Sequence, residues 1–169
     1  MLRPPGTNML DTPGVLISVR PKFAKEIAVG RKTVELRRRF PQLEPGSWLV
    51  IYVTKPVGAV IGMVKVTSVL RAPVEQLWHE VKDYASVSRE TYVDYFAGCS
   101  EGCGVFLGAR RALGPLLPSE VDEIIPGFRP PQSFRYIAHP GLLAFERSDA
   151  GELNRAFWSQ QIGGGKMGG

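Results

Sequence analysis

Four segments whose apolar runs or period-two alternation predict strands follow one another in the first half of the chain, at residues 15–19, 32–40, 47–54 and 57–70. Turn residues separate them, as in the Glu44-Pro45-Gly46 break. Strands with such short connections pair mainly as antiparallel neighbours, because a parallel pair needs a crossover segment. This spacing predicts a small sheet that curls toward a closed or nearly closed barrel.

Helices are predicted at two places around these strands. Pro21 suits the first position of a helix at 21–29, and Gly30 suits the residue just past its end. A helical insertion is predicted at 73–97, because Pro73 and Ser88 favour helix starts there. Together with the strands, these helices predict an α+β fold, a small β-barrel with flanking helices and a helical insertion.

The second half of the chain adds three further elements. A strand is predicted at 104–112, and an extended segment at 116–125 ends in a short helical turn with Ser119 as its N-cap. A last strand is predicted at 132–137.

One domain is the natural expectation for 169 residues. The proline-rich residues 1–13 predict a flexible arm, and residues 14–147 the folded domain. An amphipathic C-terminal helix is predicted at 148–162, and the glycine-rich residues 163–169 predict a disordered tail.

Positive charge is concentrated in the first part of the sequence. Residues 1–65 hold 11 Lys/Arg and 4 Asp/Glu, a net of +7, whereas residues 66–169 hold 10 and 12, a net of −2. Such a basic half favours a polyanionic partner such as nucleic acid, with a solvated basic surface as the alternative. No apolar run reaches the roughly 18 residues of a membrane span, and no secretory signal is evident, so a cytoplasmic protein is predicted.

The two cysteines, Cys99 and Cys103, are predicted to be reduced thiols. A zinc site needs about four ligands at characteristic spacing, and neither His79 nor His139 completes such a pattern with the pair. We therefore expect no metal and no cofactor.

The segment Gly30-Arg-Lys-Thr-Val-Glu-Leu-Arg37 is the first candidate site. With a period of two, Glu35 and Arg37 share one face of a strand that begins near Lys32. An ammonium, a carboxylate and a guanidinium on one strand can contact a phosphate and a base edge together. An exposed strand edge with a simple Glu–Arg pair is the alternative.

A second candidate is the segment Pro130-Pro-Gln-Ser-Phe-Arg-Tyr136, where aromatic and arginine side chains suit unstacked bases. Its alternative is a loop that enters an ordinary last strand. A third, weaker set lies at the end of the central strand. The predicted ligand-binding residues are Lys22, Lys32, Thr33, Glu35, Arg37, Tyr52, Thr54, Lys55, Gln132, Ser133, Phe134, Arg135 and Tyr136.

The runs Val15-Leu-Ile-Ser-Val-Arg-Pro-Lys22 and Ala28-Val-Gly-Arg-Lys-Thr-Val-Glu-Leu-Arg37 resemble the signature of the ASCH domain family, Gly-x-Lys-Thr-x-Glu-x-Arg after a first strand and helix. The later Tyr95-Phe-Ala-Gly98 and Pro131-Gln-Ser-Phe-Arg-Tyr136 resemble a subgroup described as predicted transcriptional regulators. The resemblance implies a PUA-like pseudo-barrel with a cleft for RNA or a nucleotide.

Some small proteins of this family are ribonucleases, and others remove acyl groups from N4-acetylcytidine. In the deacylating type a Lys, a Thr and a Glu are catalytic. Lys32 matches that lysine, but Glu35 occupies the position of the threonine. The resemblance does not locate the remaining carboxylate, for which Glu75, Glu80 and Glu90 are the candidates.

Three functions therefore stay open at the level of sequence. The first is a monomeric module that binds RNA or a modified nucleotide in a basic cleft. The second is a metal-independent hydrolase in the same cleft, with Lys32, Glu35 and Arg37 as catalytic residues, acting as a ribonuclease or on N4-acylated cytidine. The third is a protein-interaction module whose basic face meets an acidic partner.

Overall fold

The computed structural model describes residues 14–148, which form six strands and five helices. The predicted arm at 1–13, the tail at 163–169 and all but the first residue of the predicted helix at 148–162 lie outside the described residues. Within residues 14–148, no helix has the length and apolar character needed to cross a membrane. The strands are β1 Gly14–Val19, β2 Val34–Arg37, β3 Trp48–Val53, β4 Ala59–Pro73, β5 Glu101–Leu116 and β6 Phe134–Ile137, and the helices are α1 Pro21–Ala28, α2 Val74–Val81, α3 Arg89–Tyr95, α4 Pro118–Ile124 and α5 His139–Arg147.

All six strands belong to one mixed sheet in the order β2-β5-β4-β3-β1-β6. Strand β1 pairs with β3 in parallel, because α1 and β2 together supply the crossover between them. The other neighbouring pairs are antiparallel. The α+β class is confirmed.

The predicted barrel is not closed. Its end strands β2 and β6 have only four residues each, and no ladder within residues 14–148 joins them. A side chain spans the gap instead: the Arg37 guanidinium donates to the carbonyl oxygens of Ser18 at 2.7 Å and Ser133 at 3.3 Å. Residues of both edges, among them Val19 of β1 and Arg37 of β2, line a cleft at this gap.

The two faces of the central strands enter separate apolar clusters. On β1, Val15 and Ile17 belong to one cluster and Leu16 to the other. Helices α4 and α5 cover the second cluster through buried residues such as Val121 and Phe145. Helix α5 was not predicted from the sequence.

The helical insertion forms a third cluster against β2. Leu77 and Val81 of α2 and Tyr92 of α3 are fully buried beside Val34. Burial of each large apolar side chain contributes about 1.5–3 kcal/mol to stability. This burial holds the two helices against the sheet. The insertion is therefore an integral part of the domain.

Helix boundaries follow the predicted signals in most places. Pro21 is the first residue of α1, and Gly30 follows its end with a φ of +80°. The Ser88 hydroxyl accepts from the backbone N–H of Thr91, as an N-cap does. The predicted Ser119 cap is wrong, because the N-cap of α4 is Leu117, two residues earlier, and the backbone N–H of Leu117 donates to the Glu120 carboxylate at 2.8 Å.

Candidate functional site

A cleft of about 550 Å³ opens beside β2, between the β1–α1 corner and helix α3. Its size is within the ordinary range of small-ligand sites. Four basic side chains and two acidic ones line it, together with aromatic rings from α1 and α3. The lining residues are Ser18, Val19, Arg20, Phe23, Lys32, Glu35, Leu36, Arg37, Arg38, Val87, Thr91, Tyr92, Asp94, Tyr95 and Gln132.

Lys32 lies at the floor of this cleft and is only 3% exposed. Its backbone N–H donates to the Glu26 carbonyl at 2.9 Å, which holds the turn after α1. Its ammonium donates to the Ala85 carbonyl at 2.6 Å and lies 5.2 Å from the centre of the Phe23 ring. Burial lowers the pKa of Lys32, the Arg37 charge lowers it further, and the Glu35 carboxylate opposes both.

Glu35 lies between the two cations of the motif, Lys32 and Arg37. Because Glu35 and Arg37 are two residues apart on β2, strand alternation places their side chains on the same face. Its carboxylate is 3.9 Å from Nζ of Lys32 and 3.2 Å from Nε of Arg37. Glu35 is 7% and Arg37 9% exposed, so the three charges form one buried group. The Nε of Arg37 is ion-paired with Glu35 but makes no hydrogen bond in the described part of the chain.

Helix α3 and the end of β2 supply the opposite wall. The Tyr95 hydroxyl donates to the Leu36 carbonyl at 3.2 Å, and Arg38 donates from Nε to the Tyr95 carbonyl at 2.7 Å. The Arg38 guanidinium also lies 5.3 Å from the centre of the Tyr95 ring. Sequence reasoning missed Tyr95, Thr91 and Asp94 as site residues, because nothing local shows that α3 returns to β2 across more than fifty residues.

The second sequence motif reaches the cleft at one end only. Gln132 lines the cleft, and the backbone beside it is held by Ser18, whose hydroxyl donates to the Pro131 carbonyl at 2.6 Å. Ser133 contributes its carbonyl oxygen to Arg37. Phe134 packs against Phe40, with ring centres 6.1 Å apart.

The last two residues of that motif lie away from the cleft lining. In the β1–β6 register Arg135 is opposite Leu16, so strand alternation places it on the face of the second core cluster. Tyr136 is exposed and contacts Phe134 edge to face.

The remaining predicted residues do not line the cleft. Tyr52 is buried in the second core cluster against Phe128, and Thr54 and Lys55 form the turn that follows β3. Lys22 is exposed on α1, 5.7 Å from the Phe23 ring centre. Thr33 is next to Lys32, but the contacts that fix it are those of its backbone with Tyr84 and Leu107.

The acidic candidates from the insertion are exposed. Glu75 pairs with Arg89 at 2.5 Å on the outer surface, and neither Glu80 nor Glu90 lines the cleft. Among residues 14–148, no three His, Cys, Asp or Glu side chains are grouped as metal ligands would be.

Comparison with known proteins agrees with this architecture. The model of the ASCH domain matches residues 17–105. An "ASCH domain-containing ribonuclease" of Zymomonas mobilis subsp. mobilis is 34% identical over 131 residues, which cover 78% of this chain and 88% of that protein. The resemblance to predicted transcriptional regulators is not supported by these matches.

Solved structures of ASCH from Zymomonas mobilis have the same fold. One superposes with a TM-score of 0.75 at 32% identity, covering 79% of this chain and 94% of that chain. A tyrosine-to-phenylalanine variant gives a TM-score of 0.75 at 31% identity, covering 79% and 96%. With the signature Lys32, Glu35 and Arg37 gathered in one cleft and the family model spanning more than half of the sequence, the chain belongs to the ASCH domain family.

Proposed function

We propose that this protein binds single-stranded RNA in the Lys32 cleft and cleaves it. The observation that carries the proposal is a buried lysine of lowered pKa in a cleft that is otherwise basic and aromatic. The relative named a ribonuclease, similar over most of both chains, supports the choice of RNA as the ligand.

Binding combines phosphate and base contacts. Arg20 and Arg38 lie at the cleft surface, where guanidinium groups suit phosphate oxygens. Phe23 and Tyr95 offer rings against which an unpaired base can stack. Because duplex RNA keeps its bases stacked inside, this arrangement favours single strands.

Cleavage needs a base that can take a hydroxyl proton, and burial of Lys32 lowers its pKa and so favours the neutral amine that can do this. The amine takes the proton of a ribose 2′-hydroxyl, and the 2′-oxygen attacks the adjacent phosphorus. The bond from phosphorus to the 5′-oxygen breaks, and that oxygen receives a proton from the lysine ammonium or from water. The products are a 2′,3′-cyclic phosphate and a 5′-hydroxyl.

The other charges of the group act on the same step. Arg37 carries a positive charge that acts on Lys32, and it stabilises the extra negative charge of the phosphorane. Glu35 fixes the relative positions of Lys32 and Arg37 by lying between them.

The test is incubation of the protein with end-labelled, mixed-sequence single-stranded RNA, with retention and cleavage both measured. Lys32→Ala is compared with Lys82→Ala, which removes an exposed lysine that does not line the cleft. We expect Lys82→Ala to cleave like wild type, and Lys32→Ala to retain RNA without cleaving it. Cleavage by Lys32→Ala at the wild-type rate would refute the assignment of the base.

Hydrolysis of an N4-acylated cytidine is the second candidate. It is favoured by the 3.9 Å approach of Glu35 to the amine of Lys32 in a cleft of small-ligand size, since the two can share a proton during amide hydrolysis. Incubation with N4-acetylcytidine, followed by chromatography, should then yield cytidine and acetate. Unchanged substrate would exclude this candidate.

A further inference from the structure

We propose that a second basic cleft, next to the Lys32 cleft, binds the phosphates of the neighbouring nucleotides, so that the preferred ligand is an RNA strand of several nucleotides. This inference deepens the proposed function and depends on it. The second cleft has a volume of about 780 Å³ and is built from the end of β2, from Arg71 of β4 and from the 98–103 segment.

The two clefts adjoin each other. Arg37, Arg38, Tyr95 and Gln132 line both of them. Arg38 and Tyr95, two of these shared residues, also contact each other, with the guanidinium 5.3 Å from the ring centre. A strand whose reactive phosphate lies near Lys32 can therefore continue past this pair without leaving the protein surface.

The second cleft is strongly positive. Arg37, Arg38, Arg39 and Arg71 face a single carboxylate, Glu101, among the residues that line it. Arginine carries up to five N–H donors in a fixed fork that matches phosphate oxygens. Four such groups with one acid suit a chain of phosphates far better than a neutral nucleoside.

The donors of two of these arginines are still available. Arg39 is exposed and makes no hydrogen bond, ion pair or ring contact with any of residues 14–148. Arg71 is exposed and uses one nitrogen, which donates to the Phe40 carbonyl at 3.1 Å. Arg37, by contrast, is already bound to two carbonyl oxygens and is held in place. Arg39 and Arg71 are thus the groups that gain most from a phosphate.

The experiment compares two RNA ligands of different length. A dinucleoside monophosphate has one phosphodiester and fills the Lys32 cleft alone, whereas a ten-nucleotide single strand extends into the second cleft. Arg39→Ala and Arg71→Ala are measured against wild type and against Arg147→Ala. Arg147 is an exposed arginine on α5 that lines neither cleft, so it controls for the loss of one charge.

We expect Arg39→Ala and Arg71→Ala each to weaken binding of the ten-nucleotide strand roughly fivefold, with the dinucleoside monophosphate unaffected. Each should also reduce the slope of log affinity against log salt by about 0.7, the value for one phosphate contact on a single strand. Arg71→Lys keeps the charge, and partial recovery by it would separate phosphate binding from loss of the contact with Phe40.

Two results would overturn the inference while leaving the proposed function intact. One is binding of the ten-nucleotide strand by Arg39→Ala and Arg71→Ala at the strength of Arg147→Ala. The other is an equal loss for both ligands, which would place the effect in the Lys32 cleft. If wild type neither binds nor cleaves either ligand, the proposed function itself fails.

Discussion

Replacing Glu35 by glutamine tests whether the three buried charges depend on one another. The substitution keeps the size of the side chain but removes the carboxylate that lies 3.9 Å from Lys32 and 3.2 Å from Arg37. Both cations then remain nearly buried without their common partner. Breaking a buried ion pair in this way destabilises the folded state.

The magnitude follows from the two distances. With an effective dielectric constant of about 20, Coulomb's law gives about 5 kcal/mol for the Arg37 contact and about 4 kcal/mol for the Lys32 contact. Part of this is offset, because the carboxylate no longer has to lose its water. Measured losses for broken buried pairs are about 3–5 kcal/mol, and we expect a decrease of about 3 kcal/mol in the free energy of unfolding. That corresponds to a Tm lower by roughly 6–12 °C.

The cost should also depend on pH. Burial lowers the pKa of Lys32 in the folded state, so the unfolded state binds more protons between the two pKa values and stability rises with pH in that window. Glu35 stabilises only the charged form of Lys32. The penalty of Glu35→Gln is therefore largest where the folded wild type keeps Lys32 charged, and it decreases as pH rises through that pKa.

Urea unfolding at neutral pH and in alkaline buffer measures both effects. Glu44→Gln is the matched control, because Glu44 is exposed in the turn before β3. A loss below about 1 kcal/mol, the size seen for exposed pairs, would refute the picture of three interdependent buried charges. So would a loss that is the same at both pH values.

Three further predictions concern the site and its support. The cleavage rate should rise with pH through the pKa of Lys32, which lies below the ordinary lysine value. Glu35→Gln should move the midpoint of the pH–rate profile to lower pH, because the carboxylate raises that pKa. An unmoved midpoint would show that Lys32 is not the base that titrates. Gly30→Ala should lower the free energy of unfolding by about 1 kcal/mol more than Gly46→Ala does, as measured by thermal unfolding. Both positions have positive φ, but only at Gly30 would a Cβ displace Arg110 from the Ile27 and Ala28 carbonyls. Equal losses for the two variants would contradict this. Tyr92→Phe should lower the free energy of unfolding by about 1 kcal/mol through loss of the hydroxyl bond to Val74, and a stability equal to wild type would show that bond to be energetically neutral.

Local patterns predict the framework of this protein well. The strand β1, helix α1 and the Lys32–Arg37 segment follow from alternation and from Pro21 and Gly30, since each signal acts within a few residues. The same alternation places Glu35 beside Arg37, where the structure has them in contact. The sequence can therefore supply one wall of the candidate site.

The opposite wall depends on packing between distant segments. Tyr95 reaches Leu36 only because the insertion buries Leu77 and Tyr92 against β2. Sheet closure likewise depends on whether β2 and β6 are long enough to meet, and the Arg37 bridge to Ser18 and Ser133 takes the place of a ladder. Monomeric state, cytoplasmic location and a protein partner stay predictions.

Photo-cross-linking of single-stranded RNA that contains 4-thiouridine locates the ligand most directly. After irradiation and digestion, mass spectrometry identifies the attached peptides. If RNA occupies the Lys32 cleft, cross-links should fall on peptides that contain Phe23 or Tyr95, and high salt should remove them together with binding. Cross-links confined to the exposed Tyr136, or to the turn at Lys55, would contradict the assignment of this cleft as the RNA site.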